Sequence, residues 1–562
     1  RVLAFAQNDY VWDSVGEFFP DDGAPVKGIN LVEFSGDDEA ELEQRVDALT
    51  GRLAAGESSA RGYSVARGPQ VQQVWAMRKR AVGLLGNAQG EARPVAFVED
   101  CAVPPEHLAD FIAEFRALLD AQGLEYGMFG HVDAGVLHVR PALDLKDPML
   151  PAKVRSVTDA VVALARQYHG LLWGEHGKGI RSEFVPEFFG PLYPCLQAVK
   201  GAFDPHNQLN PGKIATPPHS DTGLRHIDTT PTRGERDRQI PAPARAVYQS
   251  AMVCNGNGAC FDYSPGSAMC PSWKATGQRI HSPKGRATLI KEWLRLLAEQ
   301  GVDIDAEHRQ VREGGFLAGL WPRIRNSWRR DDYDFSHEVH DAMAGCLACK
   351  SCAGQCPIKV NVPEFRARFL ELYHGRYLRP MRDYLIGGLE FLMPWLSRVP
   401  ALYNAPLALP PVQWLLREWL GMVDSPRLSG RSLNRELRRH GLWWATQEAL
   451  ARVDRTRAVV VVQDAFTSHF ETQLVLDVLE LLRRLGFEPF LAPFRPNGKP
   501  LHVHGFLGAF QHTAGRNAAL LRELAQHRVP LVGIDPSITL TYRDEYPTAL
   551  GADRVPQVQL LQ

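Results

Sequence analysis

Cys346-Leu-Ala-Cys349-Lys-Ser-Cys352-Ala-Gly-Gln-Cys356-Pro357 is the stretch from which the organisation of this chain can be read. The spacing C-x2-C-x2-C-x3-C-P lets three thiolates grip one iron–sulfur cluster. The fourth, held before a proline that turns the backbone away, reaches across to a second cluster. Structural zinc is the alternative use of such thiols, but zinc usually takes two cysteine pairs separated by a longer loop. The run therefore predicts a protein that moves electrons.

A second cluster needs further ligands, and Cys254, Cys260 and Cys270-Pro271 lie upstream. At the same spacing, Cys254-Asn-Gly-Asn257-Gly-Ala-Cys260 places Asn257 where a middle cysteine would sit and makes Cys270 the reaching thiolate. The expected sets are Cys346, Cys349 and Cys352 with Cys270, holding a 4Fe–4S cluster, and Cys254 and Cys260 with Cys356. The second set has only three thiolates. It would hold either a 3Fe–4S centre or a 4Fe–4S centre with a non-cysteine ligand, Asn257 or water. Glycine and asparagine around Cys254 suit a tight loop that needs positive φ. Cys101 and Cys195 stand apart and read as reduced thiols.

The remaining composition bounds the rest. A chain of 562 residues holds about three domains on the usual size of a domain. Its 63 basic and 64 acidic residues give a formal charge of -1, so no global field draws nucleic acid. Nine cysteines, seven of them in cluster positions, point to a reducing compartment rather than a disulfide framework. A cytoplasmic location is expected, with a peripheral position at the inner membrane as the alternative. No signal peptide and no run of about 18 apolar residues is present. The chain begins at Arg1 without Met and reads like the middle of a longer protein.

Five regions follow in order. Residues 1–215 alternate strand-like and helix-like stretches: a strand at Val26–Phe34, a polar helix at Ala40–Ala55 with Leu42, Val46, Leu49 and Leu53 on one face, a strand from Pro94, and an amphipathic helix at Pro105–Ala121. Residues 216–245, rich in Pro, Thr, Asp and Arg, read as a linker. Residues 246–375 form the iron–sulfur module, with helices such as Gly285–Gln300 between the ligand groups. Residues 376–455 are helical. Residues 456–562 open on the buried-type strand Ala458-Val-Val-Val-Val-Gln463, continue into a helix at Glu471–Leu485 and return to a strand at Val529. The fold class expected is a multidomain α/β chain with a mostly helical cluster module and a C-terminal α/β domain.

Leu385 to Val423 carries Trp395, Trp414 and Trp419 among Leu and Pro. Docking on a membrane surface is one reading. A helical pair packed on the cluster module is the expected one, because Pro394, Pro400, Pro406, Pro410 and Pro411 break any continuous amphipathic helix.

A second constellation lies in the first region. His131-Val-Asp-Ala-Gly-Val-Leu-His138 reads as two short strands around an Ala134-Gly135 turn, with His131 opposite His138. Opposed residues of an antiparallel pair have Cβ atoms about 4.5–5.5 Å apart, close enough for two imidazoles to share one ion. Alternation puts Val136, His138 and Arg140 on one face. Trp173-Gly-Glu175-His176-Gly-Lys-Gly179 adds an acid and a histidine in a glycine-rich turn. Two His and one Glu suit Zn, Mn or Fe; ordinary hydrogen-bonded polar residues are the other reading.

Phe129-Gly-His131-Val-Asp-Ala-Gly-Val-Leu-His138, Glu175-His176-Gly177-Lys-Gly179 and Phe203-Asp-Pro-His-Asn-Gln-Leu-Asn210-Pro-Gly-Lys213 together resemble the C-terminal domain of FAD-linked oxidases. That group includes the D-lactate, glycolate and D-2-hydroxyglutarate dehydrogenases. The chain is most similar to the large bacterial D-2-hydroxyglutarate dehydrogenase type, which fuses flavin and iron–sulfur parts. Its tail resembles the cysteine-rich halves of glycolate oxidase iron–sulfur subunits and heterodisulfide reductases.

The resemblance implies an α+β, ferredoxin-like substrate domain followed by a ferredoxin-type module with two clusters. It implies His131, His138 and Glu175 as ligands of a divalent metal and His176 as the base that takes the hydroxyl proton. Arg78 would clamp a substrate carboxylate, with a solvated helix face as its alternative. Arg140 could bind a distal carboxylate, and Asn210 and Lys213 lie where the chain returns toward flavin and substrate. The implied reaction takes D-2-hydroxyglutarate to 2-oxoglutarate, with D-lactate and glycolate as alternatives. Hydride passes to FAD, then single electrons pass through the clusters to a quinone or an electron-transfer protein. Association into an oligomer stays open.

Two departures accompany the resemblance. The FAD-binding half is expected before Arg1. No cysteine follows Cys356, so the paired-cysteine site of the related subunits lies beyond Gln562 or the last domain is a scaffold. The other function class is an electron-transfer module serving a partner dehydrogenase. A metallohydrolase fits poorly with seven cluster cysteines.

Overall fold

The computed structural model describes residues 15–19, 26, 28–58, 60–84, 91–177, 179–314, 319–328, 335–423 and 425–561. The chain divides into two compact units. The first contains residues 1–241, 253–259 and 354–359, and the second contains 242–252, 260–353 and 360–562.

In the first unit a small antiparallel sheet forms around Val136–Leu143. That strand pairs along one edge with Tyr126–His131 and along the other with Arg93–Pro94 and Cys101–Ala102. Helices Leu108–Ala121 and Leu150–Gln167 cover one face. Both bury apolar residues three or four apart, Leu108, Phe111, Phe115 and Leu119 in one, Val154, Val157, Val161 and Leu164 in the other. That period lines up a single stripe. Alternation along the central strand sends Leu137, Val139 and Leu143 into this core. Val136, His138 and Arg140 therefore share the opposite face.

The hairpin corrects the expected register. His131 pairs with Val136 and Phe129 with His138. The turn takes four residues, Val132 to Gly135, and closes with the Gly135 N–H on the Val132 carbonyl at 3.2 Å. Gly135 has φ 65°, and a Cβ there would fall 1.8 Å from the Val103 carbonyl oxygen. The slip amounts to two residues, an even number, so every side chain keeps its face.

The expected strand at Val26–Phe34 is not formed. Residues 28–34 are irregular, Ile29, Leu31 and Val32 are exposed, and Lys27 lies outside the described residues. An apolar run makes a strand only where a sheet edge accepts it. The following helix, Glu39–Ala54, starts where Asp38 accepts hydrogen bonds from the Ala40 and Glu41 N–H groups, and it buries none of its residues.

The second unit begins with helices around the cysteine run, notably Pro283–Glu299, Ser336–Ala344 and Val362–Arg376. Ser282 caps the first of these, with Pro283 at the first helical position. Trp293 packs edge-on against Phe369 at 5.0 Å, joining two of the helices. Met381–Leu396, Pro400–Leu407 and Pro410–Glu418 come next. Proline does interrupt this segment, but the expected packing of the helical pair fails. The second and third helices bury no residue, and Trp395, Trp414 and Trp419 are exposed.

A five-stranded parallel sheet closes the unit, in the order Trp443–Trp444, Glu488–Leu491, Ala458–Val462, Leu531–Gly533, Gln559–Leu560. Ala458, Val460 and Val462 face the cluster that includes helix Leu507–Ala525, while Val459 and Val461 face helix Thr472–Arg484. Burial on both faces is why this strand reads as unbroken valine rather than alternating. The chain is thus mixed α/β, with a small antiparallel sheet in one unit and a parallel sheet in the other. No helix among the described residues is long and apolar enough to cross a membrane.

Candidate functional site

On the open face of the antiparallel sheet, three imidazoles converge on one oxygen. The Nε2 atoms of His138, His131 and His176 lie 2.7, 3.3 and 3.4 Å from Glu175 Oε1. The hairpin supplies His131 and His138, and the turn after the buried Leu172-Trp173 supplies Glu175 and His176. Asp100 fixes that turn: its carboxylate accepts from the Glu175 and His176 N–H groups, both at 2.9 Å. A Cβ at Gly174 would come within 3.0 Å of Val136 and 3.2 Å of the Asp100 carboxylate, so glycine lets turn and strand approach.

Glu99 lies beneath the histidines, nearly buried. Its Oε1 is 3.7 Å from His138 Nδ1 and 3.6 Å from His176 Nδ1. At 2.7 Å His138 Nε2 donates to Glu175 Oε1 and its buried Nδ1 has no hydrogen-bond partner, so a metal ion taken at Nε2 would shift that hydrogen to the Nδ1 side, which faces Glu99. The His138 and His176 rings stack at 4.8 Å. Burial pushes the His138 pKa down, against the pull of Glu99 and Glu175, so this imidazole is held neutral, as a ligand must be. Arg140 donates to Glu99 from Nε at 2.6 Å and from Nη2 at 2.9 Å, balancing the buried carboxylate. Arg181, itself buried, donates to the Glu99 carbonyl and anchors the segment from behind.

Ligand atoms of Asp100, His138, Glu175 and His176 all lie within 4.8 Å of one another. With His131 alongside, this nitrogen-rich donor set fits a divalent ion of the Zn, Mn or Fe kind. A second acidic group, Glu183, His226 and Asp228, is of another nature: Arg155 bridges Glu183 at 2.9 Å and Asp228 at 2.7 Å and supplies the positive charge itself.

The second unit contains a cage of thiols. Cys270, Cys346, Cys349 and Cys352 line one small cavity with Arg286, Lys350 and Pro363. Ala348 at φ 53° and Lys350 at φ 63° stand in the left-handed region, which curls the loop around the cavity. Burial pushes the Cys352 thiol up to about 12, reinforced by Cys346, Cys349 and Cys270. Buried Arg286 lies against Cys270 Sγ at 3.8 Å while donating to the Ala342 carbonyl at 2.8 Å, the Ser272 hydroxyl at 2.9 Å and the His281 carbonyl. Four thiols and a buried cation fit an anionic iron–sulfur cluster. Of the other three cysteines of the run and its partner loop, Cys254 and Cys356 fall in the first unit and Cys260 in the second.

Residues 11–214 match the family described as "FAD linked oxidases, C-terminal domain". That stretch is an FAD-linked oxidase C-terminal domain. The whole chain is 58% identical to the D-2-hydroxyglutarate dehydrogenase of Pseudomonas putida, covering 100% of this chain and 56% of that protein. It is 52% identical to the D-2-hydroxyglutarate dehydrogenase of Escherichia coli over 99% of this chain and 56% of the relative. A D-lactate dehydrogenase of Anaerostipes hadrus is 28% identical over 38% of this chain and 46% of its own length. The chain thus spans about half the length of the curated relatives it matches most extensively.

Within the oxidase domain the structure gathers His131, His138, Glu175 and His176, but not every residue singled out from the sequence. Arg78, on helix Pro69–Leu84, lies 5.1 Å from the Trp75 ring and touches none of those four among the described residues. Arg140 is engaged with Glu99 and lies over the Phe129 ring at 5.3 Å. Asn210 and Lys213 are exposed, joined by a backbone hydrogen bond of 3.1 Å. Lys178 of the glycine-rich motif lies outside the described residues. Glu99 and Asp100 escaped sequence reasoning. The signal available was two adjacent acids inside the apolar run Val95 to Val103, where unpaired charge is costly.

Proposed function

We propose that the full-length protein is an FAD-dependent D-2-hydroxy-acid dehydrogenase that oxidises D-2-hydroxyglutarate to 2-oxoglutarate. Electrons then pass singly through two iron–sulfur clusters to an external acceptor, a quinone or an electron-transfer protein. The observation carrying this reading is the convergence of three imidazole nitrogens on Glu175 Oε1. It occurs within an oxidase domain whose extensive relatives are D-2-hydroxyglutarate dehydrogenases.

Oxidation at C2 removes a hydride from carbon and a proton from the hydroxyl. Bound FAD would take the hydride, a divalent ion held by His131, His138 and Glu175 would make the hydroxyl more acidic, and the clusters would carry electrons onward. His176 is the residue to take the proton at Nε2, since Glu99 faces its Nδ1 and can stabilise the imidazolium. His138, kept neutral by burial, stays available as a donor rather than competing for that proton. Guanidinium groups recognise carboxylates with two parallel hydrogen bonds, the role assigned to Arg78 and, for a distal carboxylate, Arg140. Asn210 and Lys213 are assigned to the substrate side of the same chain.

The finer architecture belongs to this proposal. Residues 1–215 form an α+β, ferredoxin-like substrate domain, 216–245 a linker, 246–375 a ferredoxin-type two-cluster module, 376–455 a helical segment and 456–562 an α/β domain of the electron-transfer subunit kind. Cys270, Cys346, Cys349 and Cys352 hold one 4Fe–4S cluster. Spacing assigns Cys254, Cys260 and Cys356 to the other.

Anaerobic mixing of the full-length protein with D-2-hydroxyglutarate, D-lactate and glycolate tests the reading. D-2-hydroxyglutarate should bleach flavin and cluster absorbance together. If no hydroxy acid bleaches either while dithionite reduces the clusters, the chain serves a partner dehydrogenase instead.

A further inference from the structure

Helix Met381–Leu396 is inverted in polarity. It turns two acids, Asp383 and Glu390, into the protein together with Gly387 and Met393. Glu390 accepts the Gly498 N–H at 2.6 Å, and Asp383 meets His504 Nδ1 at 3.1 Å. Its apolar side faces away: Phe391 and Leu392 are exposed, and Trp395 is 66% exposed. Helices Pro400–Leu407 and Pro410–Glu418 continue that surface and bury nothing. Leu402 is 72% exposed, Trp414 53% and Trp419 75%. Soluble surfaces scatter such residues singly; here they run through three consecutive helices, the mark of a contact site.

The charges indicate what covers it. With both acids of the first helix turned inward, the exposed charges from 381 to 423 are Arg382, Arg398 and an Arg417–Glu418 ion pair of 2.8 Å, which leaves Arg382 and Arg398 as the positive excess. Arg398 lies over the Trp395 ring at 4.4 Å, joining a cation to an amphipathic indole. Tryptophan and arginine beside exposed leucine are the composition of helices lying in the headgroup layer of an anionic bilayer. Pro400 and Pro410, each opening a new short helix, deny a long continuous ridge for packing on another helix. Insertion across the bilayer is not at issue, because no described helix could cross it.

We propose that residues 381–423 dock the protein peripherally on an anionic lipid surface, with Trp395, Trp414 and Trp419 as anchors and Arg382 and Arg398 at the headgroups. The proposal stands apart from the choice of substrate.

Flotation of the full-length protein with vesicles of phosphatidylcholine, alone or mixed with phosphatidylglycerol, tests it. The protein should float with the anionic vesicles and stay behind with the neutral ones. Arg382→Gln with Arg398→Gln should weaken partitioning roughly 30-fold. Trp395→Ser, Trp414→Ser and Trp419→Ser together should abolish flotation while leaving hydroxy-acid-dependent reduction in solution unchanged. Failure to float with either vesicle overturns the proposal. So does sedimentation velocity showing that the triple variant splits an oligomer of the unaltered protein, which would assign the face to a second copy.

Discussion

The histidine site and the thiol cage solve the same problem, holding charge-bearing ligands together, by opposite means. The first is assembled from four separate stretches: Glu99-Asp100, His131, His138 and Glu175-His176. Sheet register and one buried acid aim the side chains from below, and their tips are half-open to solvent. The cage takes three of its four thiols from seven consecutive residues and buries Cys270 and Cys352 while leaving Cys349 exposed. A site that must admit a substrate needs parts arriving from several directions. One proposed only to relay electrons can take most of its thiols from a single loop, with a buried arginine for charge balance.

Breaking either side should leave the other standing. The largest effect is expected from Cys352→Ser: loss of one cluster, read as iron content and visible absorbance, and loss of turnover with an external acceptor. Flavin reduction by substrate should survive. The mirror experiment is His176→Ala, which should slow flavin reduction by about 10²–10⁴-fold, the usual worth of a general base, while iron content is unchanged. Glu99→Gln keeps the shape but removes the charge facing both Nδ1 atoms, so kcat should fall roughly 10–100-fold and the acidic limb of its pH profile should move to lower pH. A Glu99→Asp variant should recover part of that loss, whereas a merely structural role would leave the pH profile in place.

The last expected effect lies in neither site and concerns stability alone. Burial pushes Glu390 up to about 7 from an ordinary 4.5. The folded chain therefore binds more protons than the unfolded one between those values, and stability falls as pH rises through that window, by roughly 3 kcal/mol over its width. Glu390→Gln should flatten the dependence of Tm on pH between about 4.5 and about 7.

What was legible in the sequence follows the same division. The gathering of Cys346, Cys349 and Cys352 could be read because they are neighbours in sequence, and the structure lines one cavity with them. The parallel sheet was legible from Ala458 to Val462, since burial on both faces leaves an apolar run. His131 and His138 could be placed on one face because alternation is local, but their pairing could not. The turn length depends on the clash between Gly135 and Val103, a contact 32 residues away in sequence. Glu99 was hidden for a related reason: an acid signals its role only through the cation and histidines it meets, and those come from another strand. The Trp-rich helices were misjudged because proline shows where helices stop, not which way their faces turn.

Burial of Cys352 also shapes how the protein is made. Held near 12, this sulfur remains a neutral thiol in the cell, and neutral thiols are poor nucleophiles and oxidise slowly. That protection belongs to Cys352 alone, since Cys349 beside it is exposed. The same protection makes maturation a proton-releasing event, because the sulfur must ionise to bind. If the cage takes the proposed cluster, reconstitution of the apo-protein should quicken toward alkaline pH as Cys352 ionises.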